Sequence, residues 1–205
     1  MDGEGMLPED RVGALSEGAR EALYRRLTRL MLSCSDFSQA MSAATFLLQE
    51  FEEDTDYGLP AWRKFRCYET TLIVAYARPF SRSEGGVPTL GFKTIDVKLT
   101  DAERALHERV IDFRNKLYGH SDADAVEMRV LCLHEVFKPN GAEMNLIVPR
   151  FDETTRMSWD EIFRLSELSG KLYEKTFKKA QELGGQFKDR FRVFEMDMSR
   201  GIDER

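Results

Sequence analysis

The stretch Leu106–Asp122, LHERVIDFRNKLYGHSD, gathers the side chains best suited to chemistry. Arg114 and Asn115 are adjacent, four residues separate them from His120, and Gly119 stands just before the histidine. A guanidinium offers paired N–H donors to an oxyanion, and an imidazole titrates near neutrality and can move a proton. Leu106, Val110, Phe113 and Leu117 alternate steps of four and three, which predicts a helix with one apolar stripe. A helix that ends by presenting an arginine, an amide and an imidazole reads as an active or binding site. The plainer alternative pairs Arg114 with Asp112 or Glu108 and leaves His120 closing the helix C-terminus, where the dipole favours it.

Other side chains join this set as candidates for holding a ligand. Arg78 and Arg82 flank Phe80, a basic-aromatic-basic unit suited to gripping phosphates and stacking a base. The same unit also reads as a helix end followed by a packed phenylalanine. His107 lies seven residues before Arg114, on a similar helix face, as a second imidazole of the cleft or a half-buried surface histidine. Lys116 and Tyr118, inside the motif, complete the substrate-binding candidates. His134 falls in a strand-like run and reads as structural. The three histidines have no metal-ligand spacing such as HExxH.

Arg114-Asn115-x-x-x-x-His120 resembles the signature of the HEPN superfamily, small helical bundles of which many are metal-independent ribonucleases. The resemblance covers roughly residues 18–183. It implies that His120 takes a proton from a 2′-hydroxyl or delivers one to the leaving 5′-oxygen. Arg114 would hold the phosphate and Asn115 would orient the histidine or a phosphate oxygen. The product would be a 2′,3′-cyclic phosphate, with no metal and no cofactor. The resemblance further implies a homodimer with one composite cleft, RNA or a nucleotide as ligand, and an antitoxin-type protein partner in a toxin or phage-defence setting. Two other readings stand beside it: a non-catalytic HEPN-like module that binds nucleotide or protein, and a structural helical dimer.

Composition narrows the class. Hydrophobic residues make up 42 % and aromatics 11 % of the 205 residues, too many for a disordered chain and enough for one core. No apolar run approaches a membrane span, and the acidic, Gly-bearing start MDGEGMLPEDR does not read as a secretion signal. Cys34, Cys67 and Cys132 are odd in number and widely spaced, so neither a disulfide framework nor a zinc site is expected. Cys67 and Cys132, in apolar company, read as core thiols. A cytoplasmic protein is expected. The net charge of −6 is uneven: residues 60–120 hold eleven Lys/Arg against seven Asp/Glu, which leaves −10 for the rest. A basic middle on an acidic body suits a phosphate-bearing ligand bound in one place, and suits a salt-laced surface nearly as well.

These residues must be positioned by a mainly α fold, a HEPN-like bundle of about five helices with an inserted two-stranded β-hairpin. Residues 1–16 read as a flexible lead-in, 17–185 as a single domain and 186–205 as a tail. One helix starts at Glu17 with Leu23, Leu27, Leu30 and Met31 on one face. Ser35 or Asp36 can cap a second, carrying Phe37, Met41, Ala44, Leu48 and Phe51. Gly58 and Pro60 break the chain before a third helix at 61–77, apolar on several faces and expected at the centre of the bundle. Pro79 should push Arg78 out of helical geometry, and Ser83–Lys98 should be a functional or mobile loop. Thr100 and Glu103 form a capping box for the motif helix. Strand-like runs within 126–151, joined across Asn140-Gly141, predict the hairpin. Ser158 and Glu161 make a second capping box, opening a last helix with Ile162, Leu165, Leu168, Leu172, Tyr173, Phe177 and Leu183, which Gly184-Gly185 end.

Overall fold

The computed structural model describes residues 16–52, 54–83, 86–118, 127–133, 144–150 and 155–190, with backbone alone at 117–118, 188–190 and in the strands. The described chain is mainly helical. Helix α1 spans Glu17–Glu50, α2 Leu59–Ala77, α3 Asp101–Phe113 and α4 Trp159–Gly184. Between α3 and α4, strands β1 (Glu127–Leu133) and β2 (Met144–Arg150) pair antiparallel, from Glu127↔Arg150 to Leu133↔Met144. The Asn140-Gly141 turn lies outside the described residues.

The two helices expected before Phe51 are one. α1 runs unbroken for 34 residues, about 51 Å at 1.5 Å per residue. Of the two residues that suggested a cap, Asp36 is occupied otherwise, its carboxylate accepting from Arg78 Nη1 at 3.2 Å. Capping propensity counts only where first-turn N–H groups are free.

α1 is also the central helix, the place the sequence assigns to 61–77. Both α2 and α4 lie along it. Its buried stripe, Leu27, Leu30, Cys34, Phe37, Ala40, Ala44 and Leu47, repeats in steps of three and four. Alanines at 40, 43 and 44 let neighbouring helices come close. Met31 stands outside this stripe and is exposed, as are Leu32 and Phe46. Among the thiols Cys34 is buried, whereas Cys67, expected in the core, is exposed on α2.

At the end of α2, Arg78 keeps right-handed helical geometry (φ −54°, ψ −45°) and the chain tightens into a 3₁₀ turn at Arg78–Phe80. The steric preference imposed by Pro79 is overridden by packing. Pro79 is buried, and Phe80 lies against Phe37, Tyr76 and Phe92 with ring centroids 5.2–6.1 Å apart. The segment after it is not a free loop. Leu90, Ile95 and Val97 belong to the core, and Phe92–Ile95 form a 3₁₀ turn closed by Asp96 at φ 54°. Both expected capping boxes are present, at Thr100/Glu103 and Ser158/Glu161. Within α4 Phe177 is exposed, unlike Ile162, Leu165, Leu168 and Leu172, which are buried. Beyond Gly184 the chain turns in 3₁₀ form and buries Phe187 against Tyr24.

Candidate functional site

α3 is held at both ends before it presents anything. At its start the Thr100 hydroxyl accepts from Glu103 N–H, while the Glu103 carboxylate accepts from Thr100 N–H and from Lys171 of α4 at 2.7 Å. That set of donors, Lys171 foremost, keeps the Glu103 carboxyl below its usual range. One turn further, Arg109 reaches Glu161 at 3.1 Å and covers the Phe113 ring. Leu106 and Val110 seat the helix on the core.

At Arg114 the α-helix gives way to a π-helical turn, Arg114–Tyr118, which lies against α2. Such wider turns recur at functional sites because they re-aim consecutive side chains. Arg114 Nη1 donates to Asn115 Oδ1 at 3.0 Å. Among the described residues no carboxylate pairs with Arg114. The expected pairing with Asp112 is made instead by Lys116, at 3.1 Å.

Asn115 shares a shallow pocket of about 290 Å³ with His107, Glu108, Ile111 and Asp112. These positions follow the one-turn repeat of a single helix face. His107 is half-buried at its inner wall. Its ring packs edge-on to Phe80, Phe92 and Tyr76 at 4.7, 5.0 and 5.8 Å, and Nδ1 lies 3.0 Å from the Tyr76 hydroxyl. Burial pushes the imidazole below its ordinary value, with Glu108 opposing and Arg104 assisting. Burial, aided by Glu103, raises Tyr76 far above the usual phenol, so its hydroxyl stays protonated. We assign that hydroxyl as donor to Nδ1, which leaves the ring proton of neutral His107 on Nε2. The lining carries two carboxylates, Glu108 and Asp112, of which Asp112 pairs with Lys116, while Arg114 donates to the lining residue Asn115.

Of the residues singled out by sequence, the structure brings together Asn115, Arg114, Lys116 and His107. His120 and His134 lie outside the described residues, and Tyr118 is described by its backbone alone. Arg78 is engaged elsewhere, donating to Asp36 and to Gln39 Oε1, each at 3.2 Å, so it ties α2 to α1. Arg82 is exposed. Phe80 is the packed phenylalanine of the plainer alternative, its face taken by the ring cluster. Tyr76, the partner of His107, is read in the sequence as core alone.

The structure also shows a second concavity. It is about 530 Å³ in volume and lies between α1 and the segment around Gly86–Thr94, lined by Arg25, Arg26, Arg29 and Lys93 among others. The spacing 25, 26, 29 is the clue, since these positions share a helix face.

Among the described residues no helix is long and apolar enough to cross a membrane, and no group of three or more His, Cys, Asp and Glu could hold a metal ion. No family model matches the chain, and no curated protein or solved structure does either.

Proposed function

We propose that this chain is a HEPN-like domain, a helical bundle with a hairpin inserted between α3 and α4, acting as a metal-independent endoribonuclease in the cytoplasm. One observation carries the reading. The arginine and the amide of the motif project from a π-helical turn beside a pocket, and among the described residues no acid neutralises the arginine.

In this reading Arg114 holds the scissile phosphate and stabilises the charge that builds on it. His120 serves the proton transfers. A 2′-hydroxyl loses its proton, the 2′-oxygen bonds to phosphorus, and the bond to the 5′-oxygen breaks as that oxygen takes up a proton. The products are a 2′,3′-cyclic phosphate and a 5′-hydroxyl. His107, neutral and protonated on Nε2, contributes a hydrogen-bond donor to a bound ligand rather than a base. Two copies of the motif meet in a homodimer, and in a toxin or phage-defence setting an antitoxin-type protein masks the cleft.

The test is incubation of the chain in EDTA with mixed-sequence RNA, beside the Arg114→Ala/His120→Ala variant. Wild-type cleavage leaving cyclic ends, reduced at least ~100-fold in the variant, is the expected result, the scale of one lost proton-transfer or charge-stabilising group. If both proteins are folded and inert yet bind RNA or nucleotide, the second reading replaces the first: a non-catalytic module using the same pocket.

A further inference from the structure

The stripe Ala22, Arg25, Arg26, Arg29 and Leu30 of α1 lines a concavity, with Arg29 and Leu30 buried, Arg26 half-buried and Ala22 and Arg25 exposed. Arginine is an expensive choice for such a face, because a guanidinium taken out of water must be compensated. Arg29 is 5 % exposed. Its Nε donates to the Pro88 carbonyl at 2.6 Å, and Arg26 Nη2 donates to the Thr94 carbonyl at 3.4 Å. Backbone carbonyls of the opposite wall thus hold two of the guanidinium groups in place; Arg29 also feels the Asp36 carboxylate, whereas Arg26 is held by the carbonyl without an acid among the described residues. Lys93 adds a fourth cation from that wall. Among the described residues no carboxylate lines the pocket. Among the described residues Glu21 pairs with Arg25 at 3.4 Å, whereas neither Arg26 nor Lys93 is paired with an acid. Gly86 adopts φ +68°, and a Cβ there would stand 3.3 Å from Arg25 Nη1, so glycine lets the rim close on the arginine.

We propose that this pocket binds a small organic phosphate of about nucleotide size carrying two or more negative charges. Four cations line the pocket, two of them, Arg26 and Lys93, without an acid among the described residues, which suits a ligand of two or more negative charges, and guanidinium forks match phosphate oxygens. Leu30 and Pro88 supply an apolar wall for the organic part. The volume of about 530 Å³ falls inside the roughly 300–1,000 Å³ of small-ligand pockets. A long polyanion is disfavoured by the net charge of −6 on the whole chain. The site is separate from the motif on α3 and stands independently of the ribonuclease reading.

The experiment is calorimetric titration of the full chain with ADP, with sodium pyrophosphate and a 20-nucleotide RNA as parallel probes. Three variants accompany it: Arg26→Ala/Lys93→Ala, Lys93→Glu, and Arg114→Ala/His120→Ala. ADP is expected to bind the wild type and the α3 variant equally, at least ten-fold more weakly the double pocket variant, and also more weakly the Lys93→Glu protein. Lys93 is exposed, so this last variant keeps the test alive if the double variant fails to fold. Pyrophosphate should bind more weakly than ADP and be lost with the same substitutions. The proposal is overturned if ADP does not bind, or binds the pocket variants as well as wild type. It falls equally if pyrophosphate binds as tightly as ADP, if RNA alone binds, or if only the α3 variant loses ADP.

Discussion

His107 shows how one residue can be both structural and chemical. Three aromatic rings and a tyrosine hydroxyl surround it, and burial lowers its pKa from 6.5. A base whose folded pKa lies below its unfolded value binds fewer protons folded than unfolded. The associated stability is therefore complete above about pH 6.5 and is lost as the pH falls from there through the folded pKa. Urea unfolding at pH 8 and pH 5 should show the wild type losing more stability on acidification than His107→Gln. Equal losses would mean that another group carries the acid sensitivity. The same residue was legible in the sequence only as an imidazole on the right helix face. Its partners come from α2 and from the segment after it, 31 and fewer residues away in the chain, and no local pattern encodes them.

At the scale of elements, the motif helix is set by its ends, and these were readable. Thr-x-x-Glu and Ser-x-x-Glu before apolar periodicity specify helix starts through local hydrogen bonds, and both boxes form as read. Thr100→Ala should cost about 1 kcal/mol in chemical denaturation, because it removes the hydroxyl that accepts from Glu103 N–H while the backbone donor to the Glu103 carboxylate stays. A contact invisible to local reasoning sits at the start of α4. Glu69, fully buried on α2, accepts from the backbone N–H groups of Arg156 and Met157 at 2.6 and 2.8 Å. Glu69→Leu would strand those donors in the interior, and denaturation should report a loss of roughly 2–4 kcal/mol. A loss under ~1 kcal/mol would show that water or other groups take them over. The segment 86–97 likewise escaped a pattern-based reading. Gly86, Pro88 and Gly91 announce irregular backbone, while Leu90, Ile95 and Val97 are too few and too irregularly spaced to announce burial.

For the whole molecule, the central question is assembly. Trp159 and Phe163 of α4 stack on each other and are 39 % and 41 % exposed, and Phe177, about four turns beyond Phe163, is 46 % exposed. Such aromatics on one helix are costly to leave in water, and they support the homodimer proposed with the HEPN-like reading. Light scattering of the purified chain should give twice the chain mass, and Phe163→Glu/Phe177→Glu should shift it toward the single chain. A wild-type monomer across micromolar concentrations would remove the composite cleft and leave each motif to act alone.

The sequence by itself determined the mainly helical class, the helix starts and the candidate Arg114-Asn115 pair, because periodicity, capping and side-chain type act within a few residues of one another. It misjudged the break at Ser35-Asp36, the central helix, the backbone at Arg78 and the place of Cys67. At Asp36 and at Arg78 a local preference met a tertiary contact, and the contact decided. Arg78 belongs to Asp36, Phe80 to the ring cluster, and Arg26 and Arg29 to carbonyls some 60 to 70 residues away in the chain. Which polar side chains remain for a ligand depends on which ones the fold has already used, and that is settled only when distant segments meet.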